Sequence, residues 1–214
     1  WGVDDLAALQ NLPEANSPDA VLAPKVSTPE QIASLQKAIP SGCDLWIMIE
    51  TPQSIFNLPA LAACAQTTRL TGFVMGTNDL AKEMRANLVP GRAPMMSALT
   101  LAVLAARQYG LTILDGVYNH ISDPQGFAAE CQQGADMGFD GKTLIHPSQL
   151  DLCHEAFGPS AAEVEQARKI VAAFAAPENA GKGVLKIEGQ MTELLHRDIA
   201  ARTLEIAQAI ASRS

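Results

Sequence analysis

The stretch DLWIMIETPQ, residues 44–53, joins an apolar run to a carboxylate and then to a helix start. Its five consecutive apolar residues, 45–49, are typical of a strand that is buried on both faces of a parallel sheet. Glu50 follows directly, and Thr51-Pro52 supplies an N-cap residue and a proline at the first helical position. The stretch therefore predicts a buried strand that ends on a charge and leads at once into a helix.

The same arrangement recurs on both sides of this stretch. We predict short apolar strands at 20–25, 44–50, 70–76, 111–117 and 141–145, each followed by a helix. We also predict helix N-caps at Thr28 and at Ser160, the second with Glu163. Such alternation predicts a parallel sheet covered by helices, either doubly wound or closed as a (β/α)₈ barrel. No GxGxxG segment follows any of these strands, which disfavours the dinucleotide-binding version of the doubly wound sheet.

The amino-acid composition and net charge exclude some classes of binding partner. The chain has 214 residues, of which 48% are hydrophobic, and its formal net charge is −8. This acidic balance argues against nucleic acid and anionic membrane surfaces as partners. No apolar run reaches membrane-spanning length, and the four cysteines are widely spaced without a CxxC pair. We therefore expect a cytoplasmic protein with reduced thiols.

Candidate functional residues lie where the predicted strands end, because parallel α/β folds carry their chemistry at the carboxyl ends of the strands. The residues at these positions are Lys25, Glu50, Asp79, Asp115 and His146. Glu50 and Asp79 are about one βαβ repeat apart, so their carboxylates would project over the same edge of the sheet. Two carboxylates with open positions for water and substrate oxygens suit Mg²⁺.

Each of these residues also has a structural interpretation. Asp79 could cap the following helix, and Glu50 could form an ion pair. Lys25 could be a solvated strand end, Asp115 an ordinary turn residue and His146 an N-cap. Spacing alone leaves these alternatives open.

Five segments together resemble one protein family. They are APK (23–25), MIETPQ (48–53), GTNDLA (76–81), LDGV (114–117) and GFDGKTLIHPSQL (138–150). In this order and spacing they resemble the citrate lyase β-subunit-like family of the HpcH/HpaI aldolase superfamily. The resemblance implies a (β/α)₈ TIM barrel, with about five of the eight βα units in this chain and a C-terminal extension. It also implies a Mg²⁺ cofactor.

The resemblance assigns roles to residues of this sequence. Glu50 and Asp79 match the two carboxylates that bind the metal. The positions that it implies for substrate binding are Lys25, Gly76, Thr77, Asn78 and Asp115. The backbone amides near Gly76 would hold the carboxylate of a small oxo-acid.

The C-terminal segment GQMTE (189–193) matches the family segment whose acidic residue is the catalytic acid. Glu193 takes the place of the usual aspartate and has one more methylene. We expect residues 1–176 to form a partial barrel domain and residues 177–214 an extension that reaches a neighbouring subunit. The resemblance therefore implies a homo-oligomer, a trimer or a dimer of trimers.

The implied function is Mg²⁺-dependent cleavage of a carbon–carbon bond in a 3-hydroxyacyl-CoA thioester of the malyl-CoA, citramalyl-CoA or citryl type. The products would be an oxo-acid and an acyl-CoA. One alternative is a class II pyruvate aldolase that acts without CoA. The other is a non-catalytic lyase subunit that docks an acyl carrier protein.

Overall fold

The computed structural model describes residues 2–13 and 16–212. Their contacts divide them into two compact units, one on each side of the Cys153–His154 peptide bond. The predicted domain boundary at 176/177 lies within the second of these units.

The first unit alternates strands and helices. Its strands are β1 (Ala20–Ala23), β2 (Asp44–Ile49), β3 (Leu70–Met75), β4 (Thr112–Asp115) and β5 (Gly141–Lys142). Its helices are α1 (Gly2–Gln10), α2 (Pro29–Ala38), α3 (Pro52–Phe56), α4 (Leu58–Ala63), α5 (Thr77–Met84), α6 (Met96–Gln108) and α7 (Pro124–Met137). Helix α8 (Leu150–Phe157) begins in the first unit and ends in the second. The predicted α/β fold is therefore confirmed.

The strands of the first unit form one parallel sheet. Within the described residues it has five strands in the order β1-β2-β3-β4-β5, so β1 and β5 are its edges. Ile49 of β2 pairs with Met75 of β3, which brings the carboxyl ends of these neighbours side by side. The sheet thus places Glu50 and the first turn of α5 next to each other, as the sequence predicts.

Strand β2 is not equally buried on its two faces. Leu45, Ile47 and Ile49 are fully buried, whereas Trp46 and Met48 on the other face are half-buried. Met48 borders a cavity of about 190 Å³ that also reaches the start of α5. The face with Trp46 and Met48 is therefore only half-buried, and the prediction that the strand is buried on both faces is wrong for this face.

Local signals set several helix starts. Thr28 and Thr51 each accept a hydrogen bond from the backbone N–H three residues later, so both predicted N-caps are present. The single helix predicted after Pro52 is divided into α3 and α4 at Asn57. Pro59 lacks the N–H that would continue the ladder, and the Asn57 side chain instead donates to the Ser27 carbonyl oxygen at 2.8 Å.

Strand β5 is shorter than the predicted 141–145. The backbone N–H of Ile145 donates to Gln149 Oε1 at 3.0 Å, which draws the chain away from the sheet. His146 then caps a short 3₁₀ turn, accepting from the Ser148 N–H, as its structural interpretation predicts.

The second unit contains α9 (Ala161–Ala175), the antiparallel hairpin β6 (Val184–Ile187) and β7 (Gln190–Glu193), and α10 (Leu194–Ala211). Ser160 and Glu163 form the predicted capping box of α9. Glu188 and Gly189 make the hairpin turn, both with positive φ. In the part of the chain that the structure describes, no helix has the length and apolar character needed to cross a bilayer.

Candidate active site

The two predicted metal-binding carboxylates lie at the ends of adjacent strands. Glu50 directly follows β2 and is only 3% exposed, although it carries a carboxylate. Asp79 is the third residue of α5, which begins two residues after β3. The helix N-cap is Gly76, so Asp79 is not the capping residue.

Lys25 joins the two carboxylates. Its backbone N–H donates to Glu50 Oε1 at 2.7 Å, and its Nζ lies 3.9 Å from Glu50 Oε2. The same Nζ donates a hydrogen bond to Asp79 Oδ1. That hydrogen bond raises the pKa of Lys25 and lowers the pKa of Asp79.

The backbone of Lys25 is also unusual. Its φ of 57° lies in the left-handed region, which costs a non-glycine residue roughly 1–3 kcal/mol. This conformation accompanies the hydrogen bond from its N–H to the buried Glu50 carboxylate. The structure therefore brings together three sequence-predicted site residues at one edge of the sheet.

The donor set fits a magnesium ion. Glu50 and Asp79 offer only oxygen ligands, and Mg²⁺ is usually bound through one or two carboxylates while it keeps several waters. Gly76 leaves the space that the Glu50 side chain occupies, because a Cβ on Gly76 would lie 2.7 Å from Glu50 Oε2 and closer still to Glu50 Cβ. Among the residues described, no group of three or more His, Cys, Asp or Glu side chains forms a metal site. The predicted site rests on Glu50 and Asp79, and their role as metal ligands stays a prediction.

A cavity of about 190 Å³ opens beside this pair. Gly76, Thr77, Asn78 and Asp79 line it, together with Val117. No side chain caps the N-terminus of α5, so the first backbone N–H groups of this helix have no capping acceptor. Three of the predicted substrate-binding residues thus lie where a helix N-terminus favours an anion.

Asp115, the remaining predicted substrate-binding residue, is enclosed. It is fully buried, and both its carboxylate oxygens accept from Arg92 Nη1 at 2.7 Å. Lys142 Nζ donates to Asp115 Oδ2 at 3.0 Å and to Glu130 Oε1 at 2.7 Å. The structure therefore places Asp115 inside an ion network, and its role in substrate binding stays a prediction.

Sequence patterns did not indicate the partners of Asp115. Arg92 belongs to the 90–95 turn, Glu130 to α7 and Lys142 to β5, so only the folded chain brings them together. Of these partners, only Lys142 lies in a segment that carries the family resemblance, GFDGKTLIHPSQL. Within the described residues, Arg92 Nη2 is a buried donor without a hydrogen-bond partner.

Glu193, the predicted catalytic acid, belongs to the second unit. It ends β7 and is the N-cap residue of α10, and its N–H donates to His196 Nδ1 at 3.0 Å. Its action in the site of a neighbouring subunit stays a prediction.

The sequence matches two family profiles. Residues 1–147 match the profile described as HpcH/HpaI aldolase/citrate lyase. Residues 92–211 match the profile described as C–C bond lyase of the TIM-barrel fold. The chain belongs to the HpcH/HpaI aldolase/citrate lyase family. The predicted family, the TIM-barrel fold class and the carbon–carbon lyase class of enzyme are thereby confirmed.

Individual relatives agree with this family assignment. A (3S)-malyl-CoA thioesterase from Cereibacter sphaeroides is 47% identical over 212 residues, which cover 99% of this chain and 72% of the relative. The solved structure of CitE from Mycobacterium tuberculosis, in complex with magnesium, acetoacetate and coenzyme A, is 26% identical with a TM-score of 0.72. That match covers 94% of this chain and 73% of the CitE chain.

A second solved structure supports the fold alone. A citrate lyase from Burkholderia xenovorans has a TM-score of 0.83 at 18% identity, covering 98% of this chain and 69% of its own. The sheet described above is thus the TIM-barrel type of sheet, here with two open edges.

Proposed function

We propose that this chain is a Mg²⁺-dependent enzyme that cleaves a carbon–carbon bond in a 3-hydroxyacyl-CoA thioester of the malyl, citramalyl or citryl type. The observation that carries the proposal is the buried Glu50 carboxylate beside Asp79, at the carboxyl ends of adjacent parallel strands. The products are an oxo-acid and an acyl-CoA.

Glu50 and Asp79 are the residues that would hold the ion. When bound, Mg²⁺ supplies Lewis-acid polarisation of the oxygens in the oxo-acid half of the substrate. Support comes from the CitE structure of Mycobacterium tuberculosis, which contains magnesium, acetoacetate and coenzyme A.

The chain's own groups orient the substrate. The N–H groups of Thr77 and Asn78 at the start of α5 bind the carboxylate of the oxo-acid half, favoured by the positive end of the helix dipole. The half-exposed Lys25 ammonium beside the two carboxylates contacts the charged substrate at the rim.

Cleavage requires one proton to leave and one to arrive. A base takes the proton of the substrate hydroxyl, and the electron pair left on that oxygen forms the carbonyl of the oxo-acid as the carbon–carbon bond breaks. The electron pair of the broken bond passes to the carbon next to the thioester, and that carbon is protonated. We assign this protonation to Glu193 of a neighbouring subunit, acting as a general acid. A homo-oligomer follows from this assignment.

A second candidate reaction is hydrolysis of the thioester bond in the same substrate class. The relative from Cereibacter sphaeroides that carries the name (3S)-malyl-CoA thioesterase favours it, with 47% identity across nearly the whole chain. In that reaction a water oxygen bonds to the thioester carbonyl carbon, the carbon–sulfur bond breaks, and CoA leaves as a thiol.

One assay separates these reactions. The purified protein is incubated with Mg²⁺ and malyl-CoA, citramalyl-CoA or a free 4-hydroxy-2-oxo acid, and both oxo-acid and free CoA thiol are measured. We expect oxo-acid release from a CoA ester. Release of free CoA thiol without oxo-acid would show that the enzyme hydrolyses the thioester and is not a lyase. Cleavage of only the free 4-hydroxy-2-oxo acid would indicate the aldolase. If no substrate is turned over and an acyl carrier protein co-purifies with the chain, the docking subunit is favoured.

A matched pair of variants tests the metal site. Glu50→Gln keeps the shape of the side chain but removes the charge, so we expect Mg²⁺-dependent turnover to be lost while the circular dichroism spectrum is kept. Glu155→Gln, at an exposed glutamate of α8, should behave as the wild type. Unchanged turnover of Glu50→Gln would overturn the proposed site.

A further inference from the structure

The loop after β4, residues 116–123, contacts the first turn of α5 through a pair of asparagines. Asn78 Nδ2 donates to Asn119 Oδ1 at 3.1 Å, and Asn119 Nδ2 donates to Asn78 Oδ1 at 2.7 Å. These two reciprocal bonds join segments that are far apart in sequence. Asn78 immediately precedes Asp79, so the pair acts on the turn that carries a proposed metal ligand.

Gly116, the first residue of the loop, makes a second contact with the same turn. Gly116 packs against Thr77, because a Cβ on Gly116 would lie 2.7 Å from Thr77 Cγ2 and 2.9 Å from the Met75 carbonyl oxygen. Thr77 itself is buried. The loop therefore contacts both of the first two residues of α5.

The loop is itself well anchored. Gln149 Nε2 donates to the Tyr118 carbonyl oxygen at 3.1 Å, and the Tyr118 hydroxyl donates to Asp123 Oδ2 at 2.7 Å. The hydrogen bond to Asp123 raises the pKa of Tyr118 to about 12. Asn119 follows Tyr118 directly, and Gln149 holds the Tyr118 backbone.

The first turn of α5 lacks support of its own. Its N-cap residue is a glycine that offers no side-chain acceptor. Helices with a capping side chain, such as α2 with Thr28, fix their first turn locally. In α5 the contacts with this turn come from other segments of the chain, from Lys25 to Asp79 and from the loop after β4 to Asn78.

We propose that Asn119 is a positioning residue, which holds the first turn of α5 so that Asp79 and the N–H groups of Thr77 and Asn78 face the substrate cavity. The inference rests on the proposed function, because it assigns Asn119 to the same metal and oxo-acid site. Asn119 acts through its hydrogen bonds with Asn78.

The test measures Mg²⁺ binding by calorimetry in a double-mutant cycle of Asn78→Ala and Asn119→Ala. Each single variant removes both hydrogen bonds of the pair, and we expect it to weaken Mg²⁺ binding by about fivefold, or about 1 kcal/mol. The double variant should be no weaker than the worse single variant, because both changes remove the same contact. Asn87→Ala, at an exposed asparagine after α5, should match the wild type. Wild-type affinity in Asn119→Ala, or additive losses in the double variant, would overturn the proposal.

Hydrogen exchange separates this inference from the proposed function. Amides of residues 77–80 should exchange faster in Asn119→Ala than in Asn87→Ala, whether or not the protein turns over a thioester. If Glu50→Gln binds Mg²⁺ as the wild type does, the proposed metal site fails, and the exchange rates alone decide the positioning role. Unchanged exchange at residues 77–80 would overturn that role.

Discussion

At the scale of single residues, the candidate site depends on how a carboxylate is kept at the end of a buried strand. Glu50 is almost fully enclosed, and a buried charge is costly unless it is paired and hydrogen-bonded. The Lys25 backbone N–H and ammonium group supply that compensation. Gly76 supplies the space, since its lack of a Cβ lets the Glu50 side chain lie against the start of α5.

This dependence on Gly76 gives a prediction. In Gly76→Ala the added Cβ would lie 2.7 Å from Glu50 Oε2, so the carboxylate has to move and Mg²⁺ binding should weaken. Calorimetric titration with Mg²⁺ measures the change. Gly42→Ala is the matched control, because a Cβ at Gly42 meets no atom within 4 Å. Equal Mg²⁺ affinity in the two variants would show that Glu50 does not need the space beside Gly76.

At the scale of elements, a buried ion network joins β4, β5, α7 and the 90–95 turn. Asp115 accepts from Arg92 and Lys142, and Lys142 also pairs with Glu130. In that turn Gly91 and Arg92 have positive φ, so the chain adopts a conformation that side chains disfavour in order to bury the guanidinium. The network holds the end of β4, from which the 116–123 loop continues.

Removing the central charge of this network should destabilise the protein. Asp115→Asn leaves Arg92 and Lys142 with Glu130 as their one carboxylate in the network, and losing one partner of a buried ion pair costs about 3–5 kcal/mol. Denaturant unfolding measures the loss. Asp44→Asn, at an exposed aspartate of β2, should change stability by less than about 0.5 kcal/mol.

A second variant tests whether the unpaired cation is the cause. Adding Arg92→Met to Asp115→Asn removes the arginine that has lost its main partner, so part of the stability should return. An Asp115→Asn protein as stable as the wild type would mean that the network does not hold these elements together.

At the scale of the whole molecule, the proposed chemistry divides between two units. Glu50 and Asp79 belong to the sheet unit, whereas Glu193 belongs to the C-terminal unit with α9, the hairpin and α10. If Glu193 acts in a neighbouring subunit, each complete site draws residues from two chains.

Complementation between variants tests this arrangement. Glu50→Gln and Glu193→Gln should each lose activity alone, yet co-expression should restore about one quarter of it, because random pairing in a symmetric oligomer rebuilds that share of sites. Co-expression of Glu50→Gln with Asp79→Asn is the control, since both changes affect one site and no pairing repairs it. No recovery in the first mixture would mean that Glu193 does not act across a subunit interface.

The sequence alone predicted much of the fold, because the decisive signals are local. Apolar runs marked the strands, and Thr28, Thr51 and Ser160 marked helix starts through hydrogen bonds that reach only a few residues. The order of strands along the chain also placed Glu50 and Asp79 on neighbouring strand ends. Strand and helix bounds were less accurate at Asn57, whose side chain bonds to the distant Ser27, and at Ile145, whose N–H bonds to the nearby Gln149 side chain.

What only the tertiary structure decided are the contacts between residues that are distant in sequence. The left-handed Lys25 between two carboxylates, the enclosure of Asp115 by Arg92 and Lys142, and the pairing of Asn78 with Asn119 have no local signature. The sequence determined that carboxylates would meet at one edge of a parallel sheet. It could do so because the spacing of apolar residues and the capping of helices are properties of short segments. Packing decided which side chains pair with these carboxylates and which side chains hold them in position. A buried charge takes its partner from whichever element the fold brings within hydrogen-bonding distance.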